Sequence, residues 1–85
     1  MKDIRWGALK SERLKRTRGV SFEDLLQSKL IAVMQHPKRI QQNILLFKHQ
    51  KYIWVVPYIE SGNGIFLKTL YPSRKYTKMY KRDKL

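Results

Sequence analysis

Residues 51–71 read KYIWVVPYIE-SGNG-IFLKTLY, and this stretch decides the fold. Two apolar, strand-like runs, 51–60 and 65–71, flank Ser61-Gly62-Asn63-Gly64, a strong hairpin-turn signal. The two runs are therefore expected to pair antiparallel. Pro57 has no N–H to give to a ladder, so it predicts a sheet edge or a bulge inside the first run. In the second run, strand alternation sets Phe66, Lys68 and Leu70 on one face. Ile65, Leu67, Thr69 and Tyr71 take the other.

Working outward, residues 43–48 (NILLFK) and 29–35 (KLIAVMQ) read as two more strands. His36-Pro37 ends the earlier one, because a residue before proline is pushed out of regular helix. Residues 38–42 form a polar, basic connection, and His49-Gln50 a turn. After the hairpin, Pro72 is expected to break the sheet and Ser73 to cap a final helix. In that helix Tyr76, Met79 and Tyr80 share one face. Arg74, Lys78, Lys81 and Leu85 follow the other, flanked by Lys75 and Arg82.

At the start, residues 1–5 suggest a short strand with Ile4 facing in. Residues 7–18 suggest a helix with Leu9 and Leu14 as apolar points, stopped by Gly19. Ser21 opens a second helix, with Asp24 in the reciprocal capping position and Phe22, Leu25 and Leu26 on one face. The order β-α-α-β-β-β-β-α is an α+β fold: a helix pair, a four- to five-stranded mainly antiparallel sheet and a C-terminal helix. At 85 residues the chain has room for one domain, 1–85, and shows no internal repeat.

Nineteen Lys and Arg oppose six acids, a net charge of +13. Residues 25–85 carry twelve bases against Glu60 and Asp83 alone, net +10, and the last fifteen residues are net +5. Such a surface attracts a polyanion or an acidic protein. The absence of cysteine excludes disulfides, a thiolate nucleophile and cysteine-bound zinc. Two histidines are too few for a metal site, so neither metal nor cofactor is expected. No leader pattern or long apolar run is present, which predicts a cytoplasmic protein that leaves membranes alone.

Several residues could carry chemistry. Arg74 and Lys75 sit at the start of the last helix, where cations oppose the helix dipole but free N–H groups suit a phosphate. Two readings are open: a phosphate pocket, or solvated charges. Lys68 is either an edge residue reaching water or a charge aimed into a groove. His36 ends a strand beside Lys38 and Arg39; it is either a proton carrier or a plain loop residue. His49 lies in a turn and is expected to be exposed. Glu60 is either a lone base or a strand-end charge. Tyr71 is the best candidate for an exposed, base-stacking ring, whereas Tyr76 and Tyr80 are expected to dock their helix on the sheet.

Two stretches resemble the BrnT family of bacterial toxins. One is Ile4-Arg5-Trp6 with Lys10, followed by Arg18-Gly19-Val20-Ser21-Phe22-Glu23; the other is Pro72-Ser73-Arg74-Lys75-Tyr76-Thr77. The family has Trp-x-x-x-Lys, Lys-His-Gly-Val-x-Phe and a final Ser-Ala-Arg-Lys-Ala-Thr. Arg18 stands where the family has histidine, and Lys78, Met79 and Tyr80 replace its glutamate-bearing last helix.

The resemblance implies a RelE-like fold and the toxin of a type II toxin–antitoxin pair. It also implies a metal-independent endoribonuclease that cleaves RNA to stop translation. A cognate antitoxin is the implied partner, with promoter DNA reached only through it. On that reading Arg74 lies on the scissile phosphate, Lys68 or His36 moves the proton, and Tyr71 or Tyr80 orients a base. Lys75, Lys78, Lys81 and Arg82 hold flanking RNA. A non-catalytic nucleic-acid-binding domain and a module docking an acidic protein use the same charge and stay open.

Overall fold

Residues 44–47 and 53–56 are continuously apolar, with no polar residue every second position. Strands of that kind need cover on both faces, and the computed structural model provides it. It describes residues 3–39 and 42–85. Its elements are β1 (Asp3–Arg5), α1 (Ala8–Arg18), α2 (Phe22–Leu26), β2 (Lys29–Gln35), β3 (Asn43–His49), β4 (Tyr52–Ser61), β5 (Gly64–Leu67), β6 (Tyr71–Ser73) and α3 (Arg74–Lys81). Met1 and Lys2 of the expected first strand, and Ile40 and Gln41 of the expected 38–42 connection, lie outside the described residues.

The strands form one sheet in the order β1-β5-β4-β3-β2, with β6 also paired to β4. All pairings are antiparallel except β1 with β5. On one face Leu45, Phe47, Trp54, Val56 and Tyr58 pack against Leu14, Phe22 and Leu25 of α1 and α2. On the other, Ile44, Leu46, Ile53 and Val55 receive Tyr76 of α3, with Met79 and Tyr80 beside it. The expected α+β class holds, and so does the docking face of the last helix.

Several details differ from the sequence reading. Among the described residues the sheet has six strands, because residues 65–71 do not form one strand. The chain leaves β5 after Leu67, and Leu70 is fully buried while Phe66 is 40% exposed, so the expected shared face of Phe66, Lys68 and Leu70 does not exist. Pro72 does not break the sheet; it lies within β6, opposite Trp54.

Pro57 fits because of where its missing donor points. β6 covers residues 53–55 of β4, and β5 covers residues 58–61. Pro57 falls in the gap between them, so β4, paired with β3 at Ile44, has no ladder partner on its other side at that point. The Pro57 carbonyl still accepts the Lys68 N–H at 2.8 Å.

Ile4 faces solvent at the sheet's outer edge instead of the core. α1 turns Ser11 and Leu14 inward, and Leu9, two residues from Ser11, lies about 200° around the helix and is exposed. The last helix ends at Lys81, so Leu85 lies beyond it and not on its outer face.

The Trp6-to-Glu23 motif clamps α1 to α2. The Glu23 carboxylate accepts from the Ser11 hydroxyl and from Trp6 Nε1–H at 3.4 Å. The Ser11 bond comes first among the causes that lower the Glu23 pKa. Ser11 Oγ also accepts the Phe22 N–H. The capping box is complete: Ser21 Oγ accepts the Asp24 N–H, and Asp24 accepts the Ser21 N–H.

Candidate active site

The β2–β3 connection and the β5–β6 segment come together because of register. Asn43 stands opposite Tyr58, which carries the end of β2 to the place where β4 loses its partner at Pro57. The His36 N–H donates to the Gln42 carbonyl at 2.8 Å, closing that connection. The Lys68 N–H donates to Pro57, and the Arg18 guanidinium donates to the Leu70 carbonyl. These bonds fix the segment that presents Lys68, Thr69 and Tyr71.

Between them is an open groove of about 350 Å³, lined by His36, Arg39, Lys68, Tyr71 and Lys10 among others. No carboxylate lines it among the described residues. Three permanent cations around one hollow, with no acid to neutralise them, favour an anion held at several oxygens.

Two donors are tuned by their surroundings. The Lys38 N–H donates to His36 Nδ1 at 3.1 Å, so a neutral His36 ring carries its proton on Nε2. Burial, reinforced by neighbouring Tyr76, raises the pKa of the Tyr71 phenol, with Arg39 pulling the other way. At neutral pH Tyr71 therefore keeps its proton and offers it as a donor.

The groove thus brings together His36, Lys68 and Tyr71 of the expected set. Arg74 is not among its lining residues: it lines an adjoining hollow of about 380 Å³ with Tyr52, Trp54 and Pro72. Lys75 and Lys78 are exposed on α3, and the Lys75 ammonium lies 5.5 Å from the Tyr76 ring centroid. Lys81 and Tyr80 line a third hollow, where Lys48 lies 5.8 Å from the Tyr80 ring centroid. Arg82 caps α3.

His49 is half-buried, not exposed. Ser28 Oγ–H is given to the Asp24 carbonyl, so the same oxygen accepts from His49 Nδ1–H at 2.8 Å. Arg39, Lys10 and Thr69 were not singled out from sequence as site residues. Tertiary folding brings them to the groove, although Lys10 stands in the Trp6 motif and Arg39 follows His36-Pro37. Among the described residues no three His, Asp or Glu side chains gather where a metal could sit, and no helix is long and apolar enough to cross a membrane.

No family model and no curated protein matches the chain. Among solved structures it is similar to the ribonuclease toxin BrnT of Brucella abortus, with a TM-score of 0.55 and 15% sequence identity. The match covers 86% of this chain and 97% of that one. The three-layered α+β fold of this chain is thus a BrnT-like fold.

Proposed function

We propose that the protein is a metal-independent endoribonuclease, the toxin of a type II toxin–antitoxin pair. The observation that carries this reading is the acid-free groove in which His36, Lys68 and Tyr71 meet Arg39 and Lys10. The BrnT-like fold and the sequence resemblance support it, and the antitoxin partner rests on them.

In the reaction the 2′-oxygen attacks phosphorus, the P–O5′ bond breaks, and a 2′,3′-cyclic phosphate and a 5′-hydroxyl result. Lys68, Arg39 and Lys10 hold the phosphate oxygens as charge grows on them, the kind of preorganised stabilisation that contributes most to catalysis. Tyr71 donates its phenolic proton in a hydrogen bond. The 2′-hydroxyl proton leaves to His36 Nδ1, which releases the Lys38 N–H as it accepts. The leaving 5′-oxygen takes a proton from water, to which His36 returns the one it accepted. Arg74, one strand away, holds the next phosphate.

End-labelled single-stranded RNA incubated with the protein in EDTA tests this. The expected result is cutting, with cyclic-phosphate ends. Intact RNA that is nonetheless retained, with an affinity that falls steeply with salt, would favour the non-catalytic binding domain.

A further inference from the structure

The three hollows described above are linked through neighbouring or shared residues along one edge of the sheet. Tyr71, on the wall of the candidate active groove, is followed in β6 by Pro72, which lines the second hollow with Arg74, Trp54 and Tyr52. Tyr52 also lines the third, a groove of about 560 Å³ that includes Lys48, Lys51, Lys81 and Tyr80. From Pro57 in the first hollow to Tyr52 between the second and third is five residues of β4, about 17 Å at strand rise.

The row follows β6, whose outer edge pairs with no strand among the described residues. Cations and aromatic rings alternate along it: Lys68, Tyr71, Arg74, Tyr52, Lys51. Tyr52 is 52% exposed, although it sits at the foot of a buried strand. Trp54, 7% exposed, keeps a buried Nε1–H that finds no acceptor among the described residues. Asp83 is the one acidic side chain lining any of the three hollows among the described residues.

We infer that this row is a track for single-stranded RNA, with Arg74 on a phosphate and Tyr52 as the platform on which a base stacks beyond it. The inference rests on the ribonuclease reading for its direction but has its own observables. Cations spaced by flat rings suit a strand that offers a phosphate and a base in turn. An acidic protein segment would need the cations but not the exposed ring between two hollows.

The test is binding of an RNA of about 12 nucleotides, within the range of ~4–16 that single-strand sites cover. Its 2′-hydroxyls are methylated so that it cannot be cut. Tyr52→Ala should raise Kd about tenfold with an unchanged salt slope, because stacking releases no counterions. Tyr52→Phe, which keeps the ring, should bind as the wild type does. Arg74→Gln should lower the log–log salt slope by about 0.7, the loss of one phosphate contact. Leu9→Ala, exposed on α1, serves as the control.

Wild-type Kd in Tyr52→Ala, or loss of binding in Tyr52→Phe as well, would overturn the track. If Tyr52→Ala binds the RNA normally but loses affinity for an acidic peptide, the surface is a protein-docking site and the track is wrong. If ordinary RNA is never cut yet the Tyr52 and Arg74 effects appear, the cleavage reading falls and the track stands.

Discussion

Thr77 sits where α3 meets β4, and one hydroxyl there serves two backbone groups. It donates to the Ser73 carbonyl at 2.6 Å and accepts the Ile53 N–H at 2.9 Å, at 7% exposure. Thr77→Val keeps the shape but leaves the Ile53 N–H buried without a partner, which costs about 1–3 kcal/mol. Urea midpoints should show that loss, and Thr77→Ser should recover most of it. Asp24 makes a second residue-scale prediction. Its carboxylate accepts from Lys15 Nζ at 2.7 Å, and this bond leads the causes that lower its pKa from 3.8 to about 2. The folded pKa lies below the unfolded one, so the stabilisation is present above about pH 4 and is lost as pH falls towards 2. The stability difference between wild type and Asp24→Asn should be flat at neutral pH and shrink across that window. Neither partner set is readable from composition. The capping box was legible because its spacing is local, whereas the Thr77 bridge spans 24 residues of sequence.

Elements were legible where the hydrophobic pattern had one cause. The helix pair, the 43–49 and 52–61 strands and the docking face of α3 follow from local periodicity and capping. The segment 65–73 misled because two short strands, separated by Lys68, Thr69 and Leu70, imitate one alternating run. The break exists because β4 exchanges one partner for another at Pro57, a tertiary event with no local signature beyond the proline itself. Gly64 shows the same dependence at the β1–β5 contact. A Cβ there would lie 2.7 Å from the Asp3 carbonyl oxygen, so Gly64→Ala must displace β1. We expect a cost of about 1–3 kcal/mol, as for other overpacked sites, and faster amide exchange across residues 3–5. The Arg18 guanidinium on the Leu70 carbonyl ties the end of α1 to the segment that carries Lys68. Arg18→Ala should therefore slow cleavage by loosening that segment while RNA affinity changes little.

For the whole molecule, charge was the most legible property and its arrangement the least. A net +13 announces a polyanionic partner, but it does not say that Lys10, Arg39 and Lys68, from three distant parts of the chain, share one hollow. Sequence reading centred the site on Arg74 and the start of α3, because a helix N-terminus is a local anion signal. Folding centres the cluster of His36, Lys68 and Tyr71 one strand away and leaves Arg74 in the adjoining hollow. The most direct test of the account is therefore the single-turnover cleavage rate of Lys68→Ala on single-stranded RNA in EDTA, with RNA affinity measured beside it. The account predicts a fall of about a hundredfold or more in rate, the scale of losing one preorganised charge from a transition state, with affinity changed only a few-fold. A rate within about twofold of wild type, less than 0.5 kcal/mol of barrier, would contradict it.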